Sequence, residues 1–170
     1  LIFLTVGTHE PFDRLVRCVD DWCGARGVGT RVFGQITKNA QYNPRNFEAV
    51  STLEPDDYSE RFRMAEFVIS HAGMGSIIMA QSMKKPIVLL PRRGHLRETR
   101  NDHQFATVKR FGSRAGVFAA QEETELTELL DRVSKGDVSG GEEVPAFADV
   151  QLIDVVKDFI HAGGRKSQGD

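Results

Sequence analysis

The sequence predicts an α/β fold: a mostly parallel sheet with helices packed on both faces. Three observations carry that expectation. Short apolar runs rich in β-branched residues alternate along the chain with segments whose apolar residues recur at helical spacing. The runs at 1–6, 67–69 and 87–90 are apolar throughout rather than alternating, as in strands covered on both faces. One of them passes directly into a glycine turn and then a helix-forming segment, which is half of a nucleotide-binding unit.

The elements follow in order. Residues 1–6 form the first strand, and Gly7-Thr8-His9-Glu10 is a polar loop. Pro11 suits the first position of a helix, where a missing N–H costs nothing. Phe12, Leu15, Val16, Val19, Trp22 and Cys23 share one face of that helix, which is expected to run to about Gly24. Residues 30–35 read as a second strand, 37–46 as a polar loop and 47–50 as a short third strand. Pro55-Asp56-Asp57 opens the next helix, with proline at its front and carboxylates in its first turn. Residues 67–69 are the fourth strand. After the turn, Ile77, Ile78, Met79, Ala80 and Met83 make a helix apolar nearly all round, which predicts burial between the sheet and another element.

Pro86 and Pro91 bracket the fifth strand. A helix is expected over 102–111, capped by Asn101 or Asp102, then a short strand at 116–118. Leu126, Leu129, Leu130 and Val133 stripe another helix, 135–145 reads as an exposed loop, and Leu152, Val155, Val156 and Phe159 stripe a last one. One domain is expected over 1–162, with a flexible tail at 163–170.

Composition narrows the function. A chain of 170 residues holds one domain with a substantial core. A net charge of −2 gives no global basic field, so no nucleic-acid partner is expected. Cys18 and Cys23 read as reduced thiols of a cytoplasmic protein. No apolar stretch is long enough to span a bilayer, so any membrane link is peripheral or runs through a partner.

Sheets of this kind bind ligands at the carboxyl ends of their strands. That rule brings residues 7–10, the loop after Gln35, residues 71–76 and residues 92–104 to one rim. In His71-Ala72-Gly73-Met74-Gly75-Ser76 the glycines admit close backbone approach, and the N–H groups opening the helix attract an anion. His71 has two readings, a neutral residue bonded to backbone or a donor to ligand oxygens. Ser76 caps the helix or binds phosphate. Arg92, Arg93, Arg97 and Arg100 are the densest basic cluster, suited either to solvent or to a diphosphate. Asn101-Asp102-His103-Gln104 carries more polar groups than capping requires, which favours contact with sugar hydroxyls. His95, His103 and His9 lack a three-ligand metal spacing. The glycine turn is neither a Gly-x-Ser-x-Gly elbow nor a Walker sequence, and Gly7 stands alone, so it is not part of a dinucleotide fingerprint.

Taken together, Thr5-Val6-Gly7-Thr8, Ile69–Ser76 with its glycine turn, Lys85-Pro86-Ile87-Val88-Leu89-Leu90-Pro91-Arg92 and Arg100-Asn101-Asp102-His103-Gln104 resemble the C-terminal domain of family 28 glycosyltransferases over residues 1–118. The similarity is greatest to stand-alone donor-binding subunits of two-chain transferases, such as bacterial exopolysaccharide or capsule pairs and the dolichol-linked N-acetylglucosaminyltransferase.

The resemblance implies a Rossmann-like domain, the C-terminal half of a glycosyltransferase B fold. It further implies a UDP-sugar as donor substrate, inversion at the anomeric carbon, no metal or other cofactor, and a lipid-linked acceptor. A membrane-anchored partner subunit is expected to supply the acceptor half at the cytoplasmic face of the membrane. The donor-binding set it implies begins with Gly7, Thr8 and His9 and continues through residues 71–76, Arg92, Glu98 and residues 101–104. Thr8 and His71 fall near phosphates or sugar, and Asp102 and Gln104 near sugar hydroxyls. Larger members hold the ribose with an acid at the position of Met79, and Glu98 is the nearest acid to replace it. The catalytic base is unassigned: His9 is one candidate, and the partner chain is the favoured source. A non-catalytic UDP-sugar-binding subunit, an epimerase-like protein and a piece of a longer transferase are the rival readings.

Overall fold

The computed structural model describes residues 1–100 and 103–137. Six strands form one parallel sheet: β1 (Ile2–Thr5), β2 (Val32–Gln35), β3 (Glu48–Val50), β4 (Phe67–His71), β5 (Ile87–Leu90) and β6 (Val117–Ala119). Their spatial order is β3-β2-β1-β4-β5-β6. The order reverses between β1 and β4, so the crevice above their carboxyl ends is the switch point where such sheets receive ligands. Among the described residues there are five α-helices: α1 (Asp13–Arg26), α2 (Pro55–Met64), α3 (Met74–Ser82), α4 (His103–Phe111) and α5 (Glu123–Ser134). The Rossmann-like α/β expectation is borne out.

Strand side chains alternate between two apolar layers. Ile2, Leu4, Ile69, Val88 and Leu90 face the layer built with α1 and α5, through Leu15, Val19, Trp22, Leu126 and Leu130. Phe3, Val68, Ile87 and Leu89 face the other, through Phe62 of α2, Ile77 and Ala80 of α3 and Phe111 of α4. A sheet covered on both faces needs uninterrupted apolar strands, and β1 and β5 are buried at every position.

Four details differ from the sequence-based expectations. Helix α1 starts at Asp13 rather than Pro11, because Phe12 takes a non-helical backbone (φ −140°, ψ 62°) with its ring fully buried beneath two guanidiniums. Gly24 does not end it; the stop is Gly27, which takes the left-handed cap conformation at φ 64°. The second strand is shorter than 30–35, since Gly29–Arg31 form a 3-10 turn. Helix α3 is not buried all round: Ile77 and Ala80 are covered, whereas Ile78, Met79 and Met83 are half-buried, because one sheet face covers only one side of a helix. The expected helix near 152–159 and the tail at 163–170 lie outside the described residues, as do Asn101 and Asp102.

Candidate functional site

Strand β4 delivers His71 to the rim, and the chain then turns through Ala72 and Gly73 into α3. Gly73 is the N-cap residue and supplies no side chain, so the first-turn N–H groups of Met74, Gly75 and Ser76 have no side-chain cap. Four N–H groups at a helix start lack intrahelical partners, and together with the helix dipole they favour an anion.

The His71 ring fills the space between this turn and the first loop. A Cβ on Gly73 would lie 2.2 Å from its Nε2, and one on Gly7 would lie 3.1 Å from its Cε1. Both glycines are therefore required by the histidine. Gly7 also takes φ 86°, a conformation that L side chains rarely adopt. Burial and the neighbouring Arg92 cation push the imidazole down to about 4, against a hydrogen bond with the Thr5 backbone. Its Nδ1 lies 3.3 Å from Ser70 Oγ. At neutral pH the ring is uncharged. The ring is thus a neutral imidazole bonded to the Thr5 backbone at the edge of the anion-attracting turn, the first of the two sequence readings.

The first loop is fixed from two sides. Gly7 N–H donates to Thr5 Oγ1 (3.3 Å), and Gln35 Nε2 donates to the Gly7 carbonyl (3.2 Å). Gln35 Oε1 accepts from Leu53 N–H (3.1 Å), so one buried amide joins the loops after β1, β2 and β3. Sequence reasoning missed Gln35; its signal was a long polar side chain closing an otherwise buried strand. Thr8 and His9 are exposed, with Thr8 Oγ1 and His9 Nδ1 2.8 Å apart.

Arg92 and Glu98, expected as ligand contacts, both have their charged groups engaged within the protein. Arg92 is only 3 % exposed. Its guanidinium donates to the carbonyls of Val6 and Glu10 (2.7 Å each), Glu98 (3.2 Å) and Pro11, and it stacks over Phe12 at 4.7 Å. Burial lowers its pKa to about 10, so it remains a cation at neutral pH. Both Glu98 oxygens are occupied: Arg14 donates to Oε1 at 2.7 Å and to Oε2 at 2.9 Å, and Arg93 N–H donates to Oε2 at 2.8 Å. A carboxylate held this way has little capacity left for ribose hydroxyls. Arg92 ties the end of β5 to the segment between β1 and α1 and to Glu98, and Glu98 ties its own loop to α1 through Arg14.

Of the other loop arginines, Arg93 donates to the Gln121 carbonyl (3.1 Å), while Arg97 and Arg100 are exposed. Gln104 Oε1 accepts from Arg92 N–H at 3.0 Å, which places this side chain beside the end of β5; His103 is exposed at the start of α4. Met79 is half-buried, and no acidic residue occurs between Glu66 and Glu98. Among the described residues no three His, Cys, Asp or Glu side chains gather as a metal-ligand set, and no helix is long and apolar enough to cross a membrane. Cys18 and Cys23 are free thiols.

A switch-point crevice with an uncapped helix start is common to many nucleotide binders. The family comparison is specific: the glycosyltransferase family 28 C-terminal domain matches residues 1–143. The chain belongs to that family. The match extends past the stretch that carried the sequence resemblance and takes in α5. Among solved structures, an NMR solution structure of ALG13 aligns with a TM-score of 0.59 at 19 % identity, covering 94 % of this chain and 96 % of that one. The crystal structure of the glycotransferase of kitacinnamycin aligns with a TM-score of 0.54 at 16 % identity, covering 96 % of this chain but 39 % of that chain. At those identities the likeness is one of fold. The comparison with curated proteins gives no match. As a family 28 domain, the chain has the glycosyltransferase role and binds a nucleotide-sugar donor.

Proposed function

We propose that this family 28 domain is the donor-binding subunit of an inverting UDP-sugar glycosyltransferase, working with a membrane-anchored partner that brings a lipid-linked acceptor. The observation that carries the proposal is the uncapped α3 start at the β1/β4 switch point, walled by Gly7 and the neutral His71. In this reading the N–H groups of Met74, Gly75 and Ser76 hold the donor diphosphate and stabilise its charge as the bond to the sugar breaks. The uncharged His71, its single N–H engaged by the Thr5 backbone, presents its other ring nitrogen as an acceptor for a donor hydroxyl without changing the charge of the site. Thr8, Arg97, Arg100, His103 and Gln104, on the segments that follow the carboxyl ends of β1 and β5, are the further candidates for donor contact. Asp102 and Gln104 keep the sugar-hydroxyl role that the family resemblance gives them.

Inversion also needs a base to take the acceptor's proton on the face opposite the leaving UDP. His9 is the exposed candidate on this chain, and the partner is the favoured source. Exopolysaccharide or related glycan synthesis at the cytoplasmic face of the membrane is the setting that suits such a subunit. The test is co-expression with the candidate partner, followed by a panel of UDP-sugars on a lipid-linked acceptor. Transfer that requires both chains supports the proposal. Donor binding without transfer in the presence of the cognate partner points instead to a regulatory subunit, and no binding of any UDP-sugar removes the reading altogether.

A further inference from the structure

Arg14 lies in the first turn of α1, and no sequence motif marks it. Its guanidinium nonetheless ties three elements together. Nε and Nη2 donate to the two oxygens of Glu98, Nη2 also donates to the Pro91 carbonyl at 2.8 Å, and Nη1 faces Glu123 Oε2 of α5 at 3.2 Å. Arg14 and Glu98 are 13 % and 12 % exposed, so the pair is largely withdrawn from water, where two-point guanidinium–carboxylate geometry keeps its strength. Glu98 passes the restraint on. Its carboxylate takes Arg93 N–H, and its carbonyl takes Arg92 Nη1. The loop between these points includes Arg97 at φ 58°, a left-handed conformation that a free arginine would leave.

We propose that Arg14 is a positioning residue for the ligand-facing loop: it holds residues 91–98 in the conformation that receives the donor, without touching the donor itself. This rests on the UDP-sugar reading above. An arginine is required because only its planar fork engages both carboxylate oxygens while reaching Pro91; lysine offers a single point charge. A merely structural brace has a built-in control on the same two helices. Asp131 of α5 accepts from Trp22 Nε1 (2.8 Å) and from Arg26 (3.0 and 2.7 Å) on α1, so this brace joins the two helices without running through Glu98.

The experiment compares wild type, Arg14→Gln, Arg14→Lys, Glu98→Gln, the double variant Arg14→Gln/Glu98→Gln and Asp131→Asn by UDP calorimetry, thermal unfolding and hydrogen exchange at the Arg93 amide. Arg14→Gln is expected to weaken UDP binding by about tenfold and to speed Arg93 exchange, with Arg14→Lys intermediate. The double variant is expected to bind within about twofold of Arg14→Gln, because both changes act through one loop. Asp131→Asn lowers Tm but leaves UDP affinity within about twofold of wild type. The proposal is overturned if Arg14→Gln binds UDP as wild type does, or loses no more affinity than Asp131→Asn. Should wild type itself bind no UDP, the donor reading fails, and unchanged Arg93 exchange in Arg14→Gln would separately remove Arg14 from control of the loop.

Discussion

The Nε2 atom of His71 lies 2.2 Å from the point where a Cβ on Gly73 would stand. The histidine and the glycine two residues later are therefore one packing unit, and the anion-attracting start of α3 is built around it. Gly73→Ala forces the ring out of its slot or the turn away from it. Overpacking of this kind costs about 1–3 kcal/mol. Because the same backbone presents the α3 amides, UDP affinity is expected to fall by about tenfold or more. Calorimetry on the refolded variant checks both; wild-type affinity in Gly73→Ala would show that the ring and the turn move independently.

Arg92 supports a second prediction. Arg92→Met keeps the bulk over Phe12 but strips donors from the carbonyls of Val6, Glu10, Pro11 and Glu98. Each buried acceptor left without a partner costs about 1–3 kcal/mol, so a loss of about 3 kcal/mol or more is expected in urea unfolding. A variant of unchanged stability with much weaker UDP binding would return Arg92 to direct ligand contact.

His71 gives a pH dependence whose sign is fixed. Its pKa in the folded chain is about 4, below the ordinary 6.5. Between these values the unfolded chain holds a proton that the native one lacks, so stability rises with pH across that window and is lost as pH falls from 6.5 toward 4. The full loss is about 3 kcal/mol. His71→Asn is expected to flatten this part of the stability–pH curve. Acid loss beginning only below pH 4 in wild type would mean that the ring accepts its proton without penalty.

Much of this was legible in the sequence, for identifiable physical reasons. Short uninterrupted apolar runs bounded by turn residues, as at Val88-Leu89-Leu90 between Pro86 and Pro91, read as strands covered on both faces. A glycine turn between such a strand and a helix can only lie at the carboxyl edge of the sheet. Order along the chain therefore gave the rim its members. It did not give the direction of each side chain. Arg92 and Glu98 sit on the rim as expected, yet both point into the protein, because Arg14 and four loop carbonyls compete for them better than water does. All of those partners but the Glu98 carbonyl are distant in sequence, and Arg14 on α1 carries no local signal. The start of α1 was misplaced for a related reason: Phe12 leaves the helix to sit under the Arg14 and Arg92 guanidiniums, a tertiary contact that overrides the local preference set by Pro11.

Glu98 offers a prediction that separates ribose contact from bracing. If Glu98 held the ribose, Glu98→Ala would abolish the preference for UDP over 2′-deoxy-UDP. Bracing predicts that both ligands weaken together by about tenfold, with the ratio between them preserved within about twofold. Competition calorimetry with the two nucleotides decides it.

The central claim is that the uncapped start of α3 holds a diphosphate, and backbone amide NMR during a UDP titration addresses it most directly. The account predicts saturable shifts at Met74, Gly75 and Ser76, with Gly7 and Thr8 following the same isotherm, and weaker binding of UMP, which lacks the second phosphate. Saturable shifts confined to other surfaces, or no difference between UDP and UMP, would contradict it.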